Sequence, residues 1–379
     1  MTTSERYVEL CLRIGRHDED LVDFSFAPAE IADRVAAEDP TEPARLAEDA
    51  RELQVETDSH YLRAQLRGLE IVARKLADED VSYAEEVEGC YGSRVALVPE
   101  ERFEQAHREL DELLPPGGTL SERYTRWQDG EPIPRERLEA VLQTLAEALR
   151  EQTRELFGLP EGEAYDLELV NDQHWYAYNR YFGGLRSVVE VNTDLPMSPG
   201  AVVATMAHEL YPGHHTERVW KEQLLYEAGG QVEESVLPYG TPQSVVTEGI
   251  ATLAVTLVVE NHGGLLAEAF GEHGIAYDPD RSLLVHRANK ALAAVIANAA
   301  IMLHVDGVST DEAVEYVRRW ELVSEERARQ HVEFVMDRWG RAYIRTYTDG
   351  YDLCRTWVGG DPARFRRLLT EQLTPADLK

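Results

Sequence analysis

The chain's densest run of metal-ligating side chains is HELYPGHH, residues 208–215. Imidazole nitrogen and carboxylate oxygen both bind zinc, and a catalytic zinc keeps three protein ligands and one position for water. The helical motif H-E-x-x-H meets that need because residues four apart share a helix face. His208-Glu209 starts such a motif, but position 212, where the second histidine belongs, is Pro212. On an unbroken helix His208 and His214 would stand about 240° apart in azimuth and roughly 9 Å apart along the axis, too far to grip one ion.

Pro212 removes that obstacle. It has no N–H for the His208 carbonyl, its ring crowds that carbonyl, and it pushes Tyr211 out of the helical region. Gly213 then accepts dihedrals that other residues resist. The pair predicts a widened or interrupted turn that returns His214 to the second ligand's place. His215, seven residues after His208, shares its face and is the competing candidate, but it needs a larger break to close the axial gap. The third ligand must come from another element, and Glu248 in VVTEGIATL is the candidate. It is an acid on the leading turns of an otherwise apolar helix, and Gly249 beside it leaves room for close approach. Glu209 has the position of a general base, taking a proton from a metal-activated water and passing it to a leaving amine. Its neighbours Met206, Ala207 and Leu210 indicate a buried turn.

Several elements must position these groups. The run GAVVATMAHELY is a helix begun by Ser198-Pro199, an N-cap followed by proline at the first helical position. Upstream, residues 166–178 and LRSVVEVN (185–192) read as two strands of a hairpin across the turn signal Gly183-Gly184. Glu248 lies on a helix capped at Thr241-Pro242 and closed by Gly263-Gly264. The rest is helical. Apolar periodicity runs through 43–77 and 134–158, residues 282–305 read as a central helix, and Ser309 with Glu312 forms a capping box. An aromatic-rich helical stretch leads to a last short helix begun by Asp361-Pro362, and the PPGG at 115–118 is the clearest break in the first half.

Composition narrows the partners. There are 70 acids against 38 bases, a formal charge of -32, which disfavours nucleic acid and anionic membrane surfaces. Cys11, Cys90 and Cys354 are too far apart in sequence for a disulfide framework or a C-x-x-C metal site. The first twenty residues carry charges throughout and have no signal-peptide core, and no run of 18 apolar residues suggests a membrane span. The expected location is the cytoplasm.

HELYPGHH is similar to the HEAYPGHH signature of the bacterial proteins grouped as domain of unknown function 885, and Glu248-Gly249-Ile250-Ala251 resembles their downstream EGWA signature. Those proteins are regarded as zinc metallopeptidases and look distantly similar to the thermolysin-type gluzincins, including Taq-type carboxypeptidases. The resemblance covers about residues 165–360, with specific motifs only at 208–215 and 248–251. It implies one zinc per chain, held by His208, His214 and Glu248, with Glu209 as base. The chain departs from the pattern at Ile250, where the family has tryptophan, and at Val255, where it has an acid; both departures bear on substrate selection. The resemblance also implies that the strand 187–194 is an edge that pairs with an extended peptide, Ser187 to Asn192 offering backbone bonds.

A tetrahedral intermediate further needs a hydrogen-bond donor opposite the metal. Tyr347 is the first choice and Tyr351, four residues on, the second; His174, Tyr178 and Arg180 are other donors on the hairpin. A terminal carboxylate would call for Arg180, Arg186 or Arg345. The expected fold is mainly α: a bundle of long helices around a gluzincin-like centre, with a small β-hairpin or sheet beside the active-site helix. Residues 1–160 form a helical scaffold and 161–379 the catalytic region, in one continuous unit. The expected function is a zinc-dependent metallopeptidase acting on short peptides. The alternatives are a metal-dependent amidase and an inactive, metal-binding or helical scaffold protein.

Overall fold

About half of the helices start where a short polar side chain can accept a free backbone N–H. The computed structural model describes residues 1–129, 131–173 and 175–379. Thr2, Ser59, Ser82, Ser198, Ser309 and Ser324 each cap a helix in this way. The same chemistry splits the longest helical runs. Ser59 divides residues 43–77 into Pro43–Glu56 and His60–Leu76. Near the C-terminus Asp337 accepts the N–H groups of Trp339 and Gly340 at 2.8 and 2.9 Å, which separates Glu325–Met336 from Gly340–Val358. The expected helix at 282–305 is Pro279–Leu292 followed directly by Ala294–Ile301.

The architecture is mainly helical with two small sheets. Strand β1 (Val22–Ser25) pairs antiparallel with a three-residue strand at Val236–Pro238. The other sheet holds β2 (Ala164–Val170), β3 (Ala177–Gly183) and β4 (Arg186–Asn192). The hairpin therefore differs from expectation. Its first arm, read as one strand over 166–178, is two strands, because the chain turns at Asp172 with φ +60°. β3 and β4 form the hairpin, while β2 returns to pair in parallel on the other side of β4. β4 is thus the central strand, bonded on both edges, and its backbone has no free edge for a peptide.

Hydrophobic burial joins the two halves of the chain. Tyr7, Leu66 and Phe103 share one core with Val295, Val314 and Ala342. Leu142 and Leu145 of the helix Arg135–Phe157 pack with Val189 of β4 and with Val203 and Met206 of the motif helix, Pro199–Glu209. The helix Pro242–Asn261, which carries Glu248, runs through the middle. By length and hydropathy it and the segment Pro279–Asp306 could cross a membrane; here 94% and 56% of their most apolar windows are buried in protein.

The Glu248 helix crosses the helix Gly340–Val358 (the tyrosine helix) with almost no side chain between them. A Cβ on Gly249 would lie 2.5 Å from the Gly350 carbonyl oxygen, and one on Gly350 would lie 2.2 Å from the Val245 oxygen. The space beside Gly249 is taken by another backbone. Adding a methyl there must push the helices apart, and overpacking of this kind costs about 1–3 kcal/mol. Gly249→Ala and Gly350→Ala should each lower the urea midpoint accordingly, while Gly264→Ala, whose Cβ would meet nothing within 4 Å, should leave it unchanged or slightly raised. Equal midpoints for all three variants would remove the tight crossing.

Candidate metal centre

The motif helix stops at Glu209, where the C-cap Leu210 leaves helical geometry at φ -114°, ψ -86°. After a cis Tyr211–Pro212 peptide a second helix, His214–Lys221, begins. Thr216 anchors the break, its hydroxyl donating to the Leu210 carbonyl at 3.0 Å. Gly213 lies against the very carbonyl that Pro212 leaves without a helical donor: a Cβ on it would sit 1.9 Å from His208 O. The turn is interrupted rather than widened, and only glycine fits at its end.

This break brings His208 and His214 together. Their ring centroids are 4.6 Å apart and nearly perpendicular, at 89°. Glu248 meets both: Oε2 is 3.5 Å from His208 Nε2, and Oε1 is 3.9 Å from His214 Nε2. One ligand atom from each residue lies within 4.8 Å of the other two. Around a tetrahedral zinc with bonds of about 2.1 Å, ligand atoms stand about 3.4 Å apart. Small side-chain adjustments would close the set on one ion. One buried atom at this point, Glu248 Oε2, has no hydrogen-bond partner among the described residues. Buried polar atoms left unpaired are costly, and a shared cation would relieve that cost. The donor set, two imidazoles and a carboxylate, fits zinc.

The local electrostatics suit the same use. Burial holds the His214 imidazole well below its ordinary pKa, hence neutral with a lone pair. Burial also pulls His208 down, but the nearby carboxylates of Glu248 and Glu209 outweigh it and raise the group. Burial pushes the Glu209 carboxyl up, with His208 opposing. Glu209 is fixed through its backbone: its carbonyl accepts from Asn179 Nδ2 of β3 at 2.6 Å. Asn179 in turn accepts from Arg218 Nη1 at Oδ1 (2.7 Å) and O (2.9 Å). Arg218 also donates to Asp23 at 2.8 Å, and the Tyr178 hydroxyl reaches the same carboxylate at 2.7 Å.

The tyrosine helix closes the other side. Tyr343 donates to Glu248 Oε1 at 3.0 Å and stacks on Tyr239 with centroids 4.7 Å apart. Tyr347, one turn on, is 37% exposed, so it faces open space. Partial desolvation, and then the charges of Glu248 and Glu209, raise its hydroxyl above the usual range. Tyr351 does not join them. Beyond the glycine crossing its hydroxyl accepts from Arg355 at 2.8 Å and contacts Thr256.

The other expected residues are engaged elsewhere. His215 binds Ser187 Oγ at 2.8 Å and Glu163 Oε2 at 3.0 Å, so both ring nitrogens are occupied. Ser187 thus gives its side chain to His215 while its backbone lies in the central strand, and Asn192 ties the Gln173 and Trp175 carbonyls. Arg180 pairs with Glu190 and Arg186 with Asp166, both on the exposed sheet face. Arg345 is buried against Asp349 and the Arg94 carbonyl. His174 lies outside the described residues. Asp23, Glu163, Asn179, Arg218 and Tyr343 were not foreseen. Tyr343 could have been, standing four residues before Tyr347 on the same face; Glu163 and Asp23 carry no local signal. One turn before His208 and two turns after Glu248, Ala204 and Val255 border a cavity of about 1030 Å³ whose described lining does not include His208, Glu209, His214 or Glu248.

Glu163 also accepts from Tyr211 Oη at 2.7 Å and from Arg150 Nε at 2.7 Å. Burial opposes its charge, but the bonds from His215, Tyr211 and Arg150 prevail and hold the carboxyl at about 2 against a reference of 4.5. A depressed folded pKa stabilises the fold above the unfolded value and loses that effect as pH falls through the folded one. Glu163→Gln should therefore cost about 3 kcal/mol at pH 7. In paired urea titrations the deficit should shrink between pH 4.5 and 2; a deficit that does not vary with pH would contradict the assignment.

No family model matches the chain, and no curated protein does. Among solved structures it is similar to a protein described as a lipoprotein from Colwellia psychrerythraea, at 14% identity and a TM-score of 0.56, over 89% of this chain and 66% of that one. It is similar to a protein described as a lipoprotein of unknown function from Shewanella oneidensis, at 13% identity and a TM-score of 0.47, over 91% and 70%. It is also similar to the M32 carboxypeptidase of Deinococcus radiodurans R1, at 13% identity and a TM-score of 0.43, over 99% and 93%. The chain spans about two thirds of the Colwellia protein's length, and what it shares with that protein is the fold.

Proposed function

We propose that the protein is a zinc-dependent hydrolase, a metallopeptidase acting on short peptides. The observation that carries this reading is the convergence of His208, His214 and Glu248, from three separate helices, on one point where a buried carboxylate oxygen has no hydrogen-bond partner among the described residues. The cavity bordered by Ala204 and Val255 supports peptides over smaller amides, since about 1030 Å³ accommodates several residues.

His208, His214 and Glu248 would hold the ion, and bound zinc supplies an acidified water and a polarised scissile carbonyl. Glu209, next to the first ligand, takes the water proton on its carboxylate and gives it to the leaving amine. Its depth in the protein raises its affinity for that proton. Asn179 keeps the Glu209 backbone in place, and the Tyr343 bond keeps Glu248 oriented toward the histidines. Tyr347, protonated and facing open space, donates to the oxygen that gains charge in the tetrahedral intermediate.

Protein purified without added metal and analysed by plasma mass spectrometry should carry one zinc per chain. Glu209→Gln should keep that zinc yet lower cleavage of a short-peptide library about 10²–10⁴-fold. Wild-type protein that holds no zinc, and gains no stability when zinc is added, would overturn the metal centre. Zinc without peptide cleavage would turn the reading toward an amidase or an inactive metal protein. Tyr347→Phe should lower kcat about 10²–10³-fold with little change in KM, the pattern of a group that acts on the transition state; a loss confined to KM would make it a binding residue instead.

A further inference from the structure

We propose that Glu217 and Thr247 form a positioning pair for the metal centre, which sets the distance between His214 and Glu248 before an ion binds. The inference rests on the metal-centre reading and adds two residues outside the ligand set. His214 and Glu248 lie on different helices, His214–Lys221 and Pro242–Asn261. Their spacing is therefore decided by how those helices are seated on each other. Thr247 Oγ1 donates to Glu217 Oε1 at 3.0 Å, and both residues are buried. Among the described residues this is the only hydrogen bond between the two helices.

The bond sits close to the ligands on both sides. Glu217 follows His214 by three residues and shares its face. Thr247 immediately precedes Glu248, and adjacent helical side chains diverge by about 100°. Glu248 thus meets the histidines while Thr247 meets Glu217. A slide of about 1 Å between the helices would carry this bond out of hydrogen-bonding range. It would also displace Glu248 Oε1 from His214 Nε2, 3.9 Å away. A helical threonine commonly turns its hydroxyl to the carbonyl four residues back, as Thr370 does toward Arg366. Thr247 directs its donor to the neighbouring helix instead.

The acceptor is itself held. Lys221 Nζ, one turn along the helix, donates to the same Glu217 oxygen at 2.6 Å. Burial opposes the Lys221 charge, but Glu217 and Glu234 outweigh it and raise the group. A carboxylate that swung away would leave a buried ammonium short of its partner, which is costly. The helix His214–Lys221 does not need Thr247 to stay in place. His215 fastens it to Ser187 and Glu163, Arg218 to Asn179 and Asp23, and Trp220 to the Gly158 carbonyl at 3.2 Å. Without the Thr247 hydroxyl the fold should stand while the seating of the two ligands loosens. An ion must then order its own cage, and that is read as weaker binding.

Competition with a chromophoric chelator measures the zinc affinity of the metal-free protein and needs no turnover. Thr247→Val, which nearly keeps the shape and removes the hydroxyl, should weaken zinc binding about tenfold or more. Thr247→Ala should do the same with a residue that favours the helix. Thr247→Ser, which keeps the hydroxyl, should bind nearly as tightly as wild type. Thr256→Val is the control. It makes the same change about two turns beyond Glu248, at a hydroxyl that meets His286 at 2.8 Å, and should leave zinc affinity unchanged. Circular dichroism of the metal-free proteins shows that each is folded. Wild-type affinity in Thr247→Val and Thr247→Ala, a Thr247→Ser variant as weak as they are, or an equal loss in Thr256→Val would overturn the pair while leaving the metal centre standing. Wild-type protein that binds no zinc would instead sink the metal centre and the pair together.

Discussion

A single α-helix cannot aim residues 208 and 214 at one point, and the rest of the centre depends on how the chain escapes that constraint. It does so by ending one helix and starting another inside eight residues. Proline removes a donor, glycine removes a side chain, and the start of the new helix lies against the His208 carbonyl. The two adjacent histidines then face opposite ways. His214 turns to Glu248, while His215 turns to Ser187 and Glu163 and fastens the new helix to the sheet. One imidazole is left free for a metal because its neighbour carries the structural work.

Polar anchoring surrounds the break on every side. Asn179 of β3, itself held by Arg218 of the helix His214–Lys221, fixes the end of the motif helix, and Glu163 gathers Arg150, Tyr211 and His215 from three elements. A charged network this deep is stable only when each member has its partner. Loss of one member leaves others buried and unpaired, which is why the Glu163 change is expected to act on folding although it lies outside the catalytic set.

What could be read in the sequence followed how local the physics is. The caps at Ser198 and Ser309, the break at Pro212 and the His208, Glu209, His214 cluster come from residues within a turn or two of one another, and their positions were legible; the breaks at Ser59 and Asp337 were not. Glu248 was legible because a lone acid on an apolar helix stands out. The role of β4 was not: strand order depends on where β2 returns, and nothing within 185–192 encodes that. Nor were the partners of Arg180, Arg186 and Arg345, since a surface arginine reads alike whether it awaits a ligand or already faces Glu190, Asp166 or Asp349. Tyr347 and Tyr351 are equivalent by spacing, and only the crossing at Gly350 sends them to different surroundings.

That crossing has a mechanical consequence. With backbone touching backbone at Gly249 and Gly350, Glu248, Tyr343 and Tyr347 ride on one rigid block, and none can shift without carrying the others. The cavity walls around Trp127, Ile133 and Tyr277 lie on other segments than this block. On the proposed reading, groups for chemistry and walls for selectivity then sit on different segments, free to change at different rates.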